Sequence, residues 1–346
     1  MVKYVIKRVL LAIMTAIIIL SLTFILIKLL KPERVLGDMS ARFTFYEEQV
    51  RLGYMMKFST PMSEFGELQF WFQSPNGKSD LYYYQVPVMT QYFNWIKNII
   101  TAWDWGVSQE IEQNVKVTVI IGERLVNTIK INVLSVIVSV PLGIALGIWA
   151  ALKKNTMTDH IISTLVMVCI SVPSFVLITL LMLLLCYNNH ILPTQWPSQT
   201  DLLSTKIKGY ILPVFCLSFG SICGYCRFVR AELCEVMASD YLLLARTKGL
   251  TKQQAILRHA LKNAMVPIVP SILAEFIGIL GGSMILENLY GIHGIGKLFI
   301  QAIRAKDYNV LFVDMAIFTT LSLLAGVLLD ISYGFIDPRI RMGAKK

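Results

Sequence analysis

Charge is what this sequence has least of. Asp, Glu, Lys and Arg together make up 16% of its 346 residues, where a soluble domain carries about a quarter. A water-soluble fold of this length needs more polar surface to cover itself, so that class is excluded. Histidine is scarce too: His160, His190, His259 and His293 are scattered over loops and the ends of apolar runs, with no pair placed to hold a haem between two spans. Of the six cysteines, Cys169, Cys186, Cys216, Cys223 and Cys226 lie in or beside apolar runs and Cys234 lies beyond them. Cys223-x-x-Cys226 lacks a second pair or a His partner, so it reads as two small buried residues. With no metal set, no nucleophile beside a base and no phosphate cradle, a membrane enzyme has nothing to work with.

What the sequence has in quantity is long apolar runs, at 55% hydrophobic residues. Crossing a bilayer by helix takes about 20 such residues, and the backbone in lipid must satisfy its own hydrogen bonds, which makes the runs helices. Six spans are expected, at 9–30, 128–151, 160–187, 210–229, 264–286 and 310–336. The first follows Lys3, Lys7 and Arg8 as a signal peptide would. It is too long for a signal core and has no small-x-small cleavage site after it, so it is expected to stay as a span.

Lys and Arg set the orientation. Residues 227–263 hold seven Lys/Arg against three Asp/Glu, whereas 31–127 hold nine against eleven. With both termini cytoplasmic, the first segment lies inside with Lys153, Lys154 and the tail (Arg339, Arg341, Lys345, Lys346), and the second lies outside. The net charge of +10 is then a positive-inside bias and not a nucleic-acid footprint.

The outer segment has its own organisation. Leu68–Gln73 and Leu81–Val86 are aromatic and β-prone, and Asn76-Gly77 between them is a strong hairpin turn because both residues tolerate positive φ. A hairpin over 68–86 would display Phe70, Trp71, Phe72, Tyr82, Tyr83 and Tyr84, which could contact a partner protein, pack on the rest of the outer region or sit at the lipid interface. Residues 87–127 read as amphipathic helix, with Tyr92, Trp95, Ile96 and Ile99 on one face. Asp104-Trp-Gly-Val-Ser108 then forms a turn before the second span.

The cytoplasmic loop 227–263 is long for a connector. Ser239 is placed to cap a helix from Asp240 to Lys248, Gly249 to end it in the left-handed conformation, and Thr251-Lys-Gln-Gln254 to open the next helix as a capping box. That helix carries Ala255, Ile256, Leu257, His259 and Ala260 to Asn263, with Pro267 just inside the fifth span. A short rigid helix across the cytoplasmic face could take mechanical force from a soluble partner; a solvated loop resting on head groups has the same spacing.

Here the sequence resembles the permease subunits of ABC-type dipeptide/oligopeptide importers, the first of the two paired permeases. The resemblance rests on Arg227-Phe-Val-Arg230, Asp240 to Leu250, His259 to Pro267, Gly281-Gly282, Glu287 to Gly296, Asp307-Tyr308, Asp330-x-x-Tyr333 and Asp337 to Arg341. Upstream, Arg51-Leu-Gly53, Pro87 to Trp95 and Asp104 to Ser108 extend it over nearly the whole chain. It implies an all-α polytopic membrane protein with six transmembrane helices of the type I ABC importer permease kind and an extracytoplasmic insertion containing the β-hairpin. The domains would be a first helix (1–30), an extracytoplasmic domain (31–127), a five-helix core (128–338) and a cytoplasmic tail (339–346). It implies that Asp240, Tyr241, Ala245, Arg246, Lys248, Gly249 and Leu250 engage ATP-hydrolysing subunits. Leu243-Leu244 stand where the broader importer signature has Glu-Ala, His293 stands where relatives commonly have Pro, and the outer domain is expanded before Pro87.

The implied partners are a second homologous permease, two nucleotide-binding subunits, an extracytoplasmic solute-binding protein, a peptide substrate and membrane lipid, in a bacterial cell membrane. No cofactor is expected on this chain; ATP and magnesium belong to the partner subunits. Relatives also import glutathione or nickel chelates. A membrane sensor would explain the outer domain but leaves 227–263 without a purpose.

Gly291-Ile-His-Gly-Ile-Gly-Lys297 fits most of a Walker A pattern. Leu298 stands where the magnesium-binding Ser/Thr is needed, no strand precedes the segment, and the topology puts it outside. Glu275 falls mid-span, where a bare acid costs about 3 kcal/mol. It is expected either to line the translocation path together with Glu287, attracting the amino end of a solute, or to make a hydrogen bond across the contact between permeases. Asp330 is expected to pair with a basic residue at the cytoplasmic side.

Overall fold

The computed structural model describes residues 2–29, 38–62, 68–73, 80–198, 200–278 and 282–336. Thirteen helices and three strands follow one another along the described residues. They are α1 (Val2–Leu29), α2 (Met39–Arg51), β1 (Met55–Phe58), β2 (Leu68–Gln73), β3 (Asp80–Gln85), α3 (Val88–Ala102), α4 (Val117–Leu152), α5 (Met157–Ser171), α6 (Ser174–Leu181), α7 (Leu203–Met237), α8 (Asp240–Thr247), α9 (Lys252–Ala255), α10 (Leu261–Gly278), α11 (Met284–Tyr290), α12 (Ile295–Ala305) and α13 (Tyr308–Ile336). Single π-helical turns, Met182–Asn188 and Ile256–Ala260, follow α6 and α9.

Among the described residues four helices are long and apolar enough to span a membrane: Tyr4–Leu29 of α1, α4, α7 and Tyr308–Ser332 of α13. A fifth is reached if α5 and the α6 segment to Asn188 are one span, bent by 92°. The bend falls at Val172-Pro173. Proline has no amide to give the helix and pushes the residue before it out of the helical region, and Val172 is accordingly extended (φ −85°, ψ 116°). The expected run 264–286 is divided between α10 and α11, with residues 279–281 outside the described set. α10 carries Lys262, Pro267, Pro270 and Glu275 without a break, and it is not among the four.

The chain divides into two compact units. The first comprises Met1–Ala12, Leu125–Lys297 and Leu321–Lys346; the second comprises Ile13–Arg124 and Leu298–Thr320. In the first unit α7 is the hub against which α5, α6 and α10 pack. Val140, Ile144 and Ile148 of α4 join Tyr225, Val229 and Ile268 there. The approach of α4 to α7 depends on Gly143 and Gly147: a Cβ at 143 would lie 2.6 Å from the Tyr225 Cβ, and one at 147 would lie 2.7 Å from the Val229 Cβ. This is the small-xxx-small contact by which helices in lipid bring their backbones together. A second core gathers Ile131, Ile178, Cys186, Leu212, Cys216, Leu286, Tyr290 and Ile292.

The second unit holds the sheet, in the order β1-β3-β2 with both pairs antiparallel. β2 and β3 occupy the two aromatic runs, and the expected turn Asn76-Gly77 lies outside the described residues. β1 is a strand the sequence reading did not anticipate. Tyr46 of α2 stacks on Phe70 at 4.3 Å, and Phe43 meets Phe72 at 4.4 Å. A second ring cluster joins Phe24, Tyr92, Trp95, Trp105 and Phe312. α3 covers 88–102 of the expected helical region, and α4 starts at Val117, well before the apolar run, because its first turns carry Glu123 and Arg124 without breaking the helix.

Candidate coupling surface and the clasps behind it

α8 begins and ends within a residue of its expected limits. Leu242 is buried with Leu233, Ala255, Ile256 and Ala260, which pins the helix by one side. The opposite side leaves Tyr241, Leu243 and Leu244 exposed, the last two by 61% and 56%, with Asp240, Arg246 and Lys248 also in the open. Ser239 occupies the N-cap position, but its hydroxyl donates back to the Val236 carbonyl at 2.5 Å and does not cap. Gly249 has φ +97°, and a Cβ there would meet nothing within 4 Å. The glycine is therefore required by backbone conformation and not by space. The capping box forms: the Gln254 amide donates to the Thr251 hydroxyl at 3.3 Å and the Thr251 amide to Gln254 Oε1 at 3.2 Å. Ala245 and Leu250 are half-buried.

One turn before Leu233 on α7, Arg230 grips Asp159 of α5 in two charge-assisted bonds, at 2.5 and 2.8 Å. Asp159, 1% exposed, also accepts the Asn155 amide at 2.9 Å. Sequence reasoning quoted Arg230 but missed Asp159, whose only sequence signal is an acid in the first turn of a helix. Arg8 and Asp330 pair at 3.0 Å, which gives Asp330 the basic partner expected of it.

The Walker-like segment binds an anion that belongs to the chain itself. Glu287 is 3% exposed. Its Oε1 accepts the Thr128 hydroxyl at 2.9 Å and its Oε2 the Lys297 amide at 3.1 Å, with backbone amides of Gly296 and Ser283 adding to these. Thr128 in turn accepts the Ile295 amide at 3.0 Å. The first turn of α12 thus closes around a carboxylate and a hydroxyl, satisfying amides that a helix start leaves without partners. A Cβ at Gly294 would collide with both groups. This corrects the expectation that Glu287 faces a solute: its oxygens are enclosed by the chain's own backbone.

Glu275 on α10 is half-buried, and the Tyr225 hydroxyl of α7 donates to it. That bond is made within the chain; the sequence offered Glu275 either a place on the translocation path or a bond between permeases. The sheet aromatics divide. Tyr83 and Tyr84 are buried, Phe70 and Phe72 pack on α2, Tyr82 is half-buried, and Trp71 is 47% exposed. Tyr83 donates to Glu47 at 2.6 Å. The six do not form one exposed surface.

Asp307 is fully buried and joins two of the quoted motifs. Its Oδ2 accepts the Ser108 hydroxyl at 2.6 Å and the amides of Gln109 and Glu110 at 3.0 and 3.1 Å, and its Oδ1 takes the Val310 amide at 3.3 Å. One carboxylate therefore caps α13 and holds the turn after Asp104-Trp-Gly-Val. Among the described residues no three His, Cys, Asp or Glu side chains gather as a metal site.

Residues 143–342 match the family described as the binding-protein-dependent transport system inner membrane component. The chain is 30% identical over 345 residues to the dipeptide transport system permease protein DppB of Lactococcus lactis, covering 99% of this chain and 100% of that one. It is 33% identical over 261 residues to the oligopeptide permease OppB of Escherichia coli K12, covering 75% and 83%. DppB of Bacillus subtilis matches at 27% over 347 residues and the full length of both. Among solved structures, an inward-facing MetNI methionine ABC transporter chain superposes with a TM-score of 0.52 at 15% identity, covering 64% of this chain and 97% of that one; this likeness concerns the fold. Match and relatives together place the chain in the family of binding-protein-dependent transport system inner membrane components, among the ABC permeases.

Proposed function

We propose that this chain is one of two paired pore-forming subunits of an ATP-driven importer, carrying dipeptides or oligopeptides handed over by an extracytoplasmic binding protein. The substrate class rests on the substrates in the relatives' names, the two dipeptide permeases covering 99% and 100% of the chain and the oligopeptide permease 75%. The observation that carries the mechanism is α8: pinned through Leu242, it turns Tyr241, Leu243 and Leu244 outward beside Arg246 and Lys248. Two adjacent exposed leucines beside Arg246 and Lys248 call for a protein surface to cover them.

In this reading ATP binding closes a pair of nucleotide-binding subunits against α8. The Leu242 contact and the Asp159–Arg230 clamp pass the movement into α7 and α5, and hydrolysis resets the pore. Hydrolysis, ATP and magnesium belong to those partner subunits. Both termini are cytoplasmic and 31–127 faces outward, as the Lys/Arg distribution directs. The domain limits follow the sequence reading: 1–30, 31–127, 128–338 and 339–346. Glu275, steadied by Tyr225, lines the path and attracts the amino end of the solute, whereas Glu287 holds the turn before α12. Trp71, with Tyr82 beside it in register, offers the exposed part of the outer sheet to the binding protein.

Gly249→Pro or Arg246→Glu is expected to leave the complex in the membrane with ATP hydrolysis uncoupled from uptake. Normal transport by either variant removes the coupling role from α8. Glu275→Gln with unchanged uptake and normal assembly removes Glu275 from the path. Uptake assays with di- and oligopeptides, glutathione and a nickel chelate in competition distinguish the peptide reading from other small solutes.

A further inference from the structure

α3 is built inside out. Its polar residues Gln91, Asn94 and Asn98 turn toward the protein: Gln91 donates to the Val86 carbonyl at 2.6 Å, Asn94 to Gly53 at 2.7 Å and Asn98 to Leu52 at 3.0 Å. Tyr92, Trp95 and Ile99 complete the inward face. Pointing away are Met89, Phe93, Ile100 and, at the helix end, Trp103, exposed by 56%, 63%, 78% and 69%. At the 100° per residue of an α-helix, Met89, Phe93, Ile100 and the half-buried Ile96 fall within an arc of about 60°, while Trp103 is the C-cap, with φ +51°. Thr90, Lys97 and Thr101, all exposed, fall in a separate arc of about 40° beside it. A helix surrounded by water would present the amides outward and keep the large apolar residues in.

The position of α3 along α1 says what lies outside. The Tyr92 hydroxyl is 2.7 Å from that of Ser21, and Trp95 stacks on Phe24 with centroids 5.0 Å apart. Ser21 precedes the last residue of α1 by eight positions, or about 12 Å at 1.5 Å per residue. Its neighbours Leu22, Leu26 and Leu29 are exposed by 57%, 63% and 65%, as a lipid-facing span requires. α3 therefore lies alongside the last two turns of a membrane span and not above it.

We infer that α3 is an interfacial helix. Its Met89–Phe93–Ile96–Ile100 stripe, with Trp103 at the cap beyond it, is immersed in the acyl chains of the leaflet at the Leu29 end of α1, and its Thr90–Lys97–Thr101 stripe lies among the head groups. The division into an apolar arc, a polar arc with a lysine and an inward arc is the pattern of a helix lying in the membrane surface. Trp103, at the helix end, has the amphipathic ring that concentrates at that level. The sequence reading took residues 87–127 as part of an outer domain; here its first helix is part of the membrane surface.

The test uses the assembled complex in vesicles of phosphatidylethanolamine and phosphatidylglycerol. Single cysteines carrying a nitroxide are placed at 93, 100, 90 and 97, and the label taken up by the native chain is subtracted. Relaxation by oxygen, which partitions into lipid, is expected to exceed relaxation by a water-soluble nickel chelate several-fold at 93 and 100, and to fall below it at 90 and 97. Nickel reaching 93 and 100 as readily as 90 and 97 overturns the inference, because the stripe then faces water. Exclusion of both reagents at 93 and 100 also overturns it, because a protein then covers the stripe. A second readout needs no label. Brominated phospholipid should quench the native protein's tryptophan emission more than that of Trp103→Phe, and equal quenching counts against the placement.

Discussion

The two units of this chain are packed by opposite means. In the first, α4 meets α7 across Gly143 and Gly147, and the buried clusters are mostly aliphatic and thiol side chains. In the second, five rings of α1, α3, α13 and the Asp104 turn stack or meet edge-on, and a further set ties α2 to the sheet. Lipid tails are as apolar as leucine, so helices inside a bilayer gain little by hiding leucine and more by close backbone contact. Where the chain reaches the interface, rings both bury area and bring a polar edge.

This contrast can be broken by substitution. Trp95→Ala should have the largest effect, about 3–5 kcal/mol from a lost buried ring and its cavity. Thermal unfolding in detergent should show it as early loss of the 13–124 region to proteolysis while α7 stays protected. Gly147→Leu should cost about 1–3 kcal/mol or more by forcing α4 off α7, with the order of proteolysis reversed. If both variants lose the two regions together, the units do not fold separately. Gly294→Ala strikes neither packing mode but the clasp on Glu287. It should lower stability by about 1–3 kcal/mol through the displaced buried carboxylate, and Thr128→Ala should reproduce part of that loss in the same melting assay.

The smallest effect concerns pH. Burial alone would raise the Glu47 carboxyl, but the hydrogen bonds from Lys57 and Tyr83 and the Lys57 charge outweigh it and hold it below the usual range. A depressed carboxylate contributes stability that is complete above its unfolded pKa, about 4.3, and is lost as pH falls through the lower folded value. Because Lys57 is 43% exposed, the contribution should stay below about 1 kcal/mol. Melting between neutral pH and pH 3 should show a small acid-side drop that Glu47→Gln lacks.

Much of the segment 239–254 was legible because its signals are local: Ser239 at the start of a helix, though its hydroxyl does not cap it, Gly249 at its end, and Thr251 three residues before Gln254. Less was legible where partners lie far apart in sequence. Asp159 finds Arg230 across 71 positions and Asp307 finds Ser108 across 199, and hydropathy carries no information on either pairing. Direction was also lost: the run 160–187 is continuous in apolarity, yet Pro173 turns it by 92°. β1 has only four residues, Met-Met-Lys-Phe, and no alternation strong enough to announce a strand.

The glycine loop at 291–297 carries a further consequence. A loop that gathers amides around a free phosphate fills and empties with the supply of that phosphate. Here the occupant is tethered through α11, so its effective concentration is fixed by chain geometry and not by the cell's pools. The same backbone device that elsewhere cradles a nucleotide is in this chain occupied by its own Glu287.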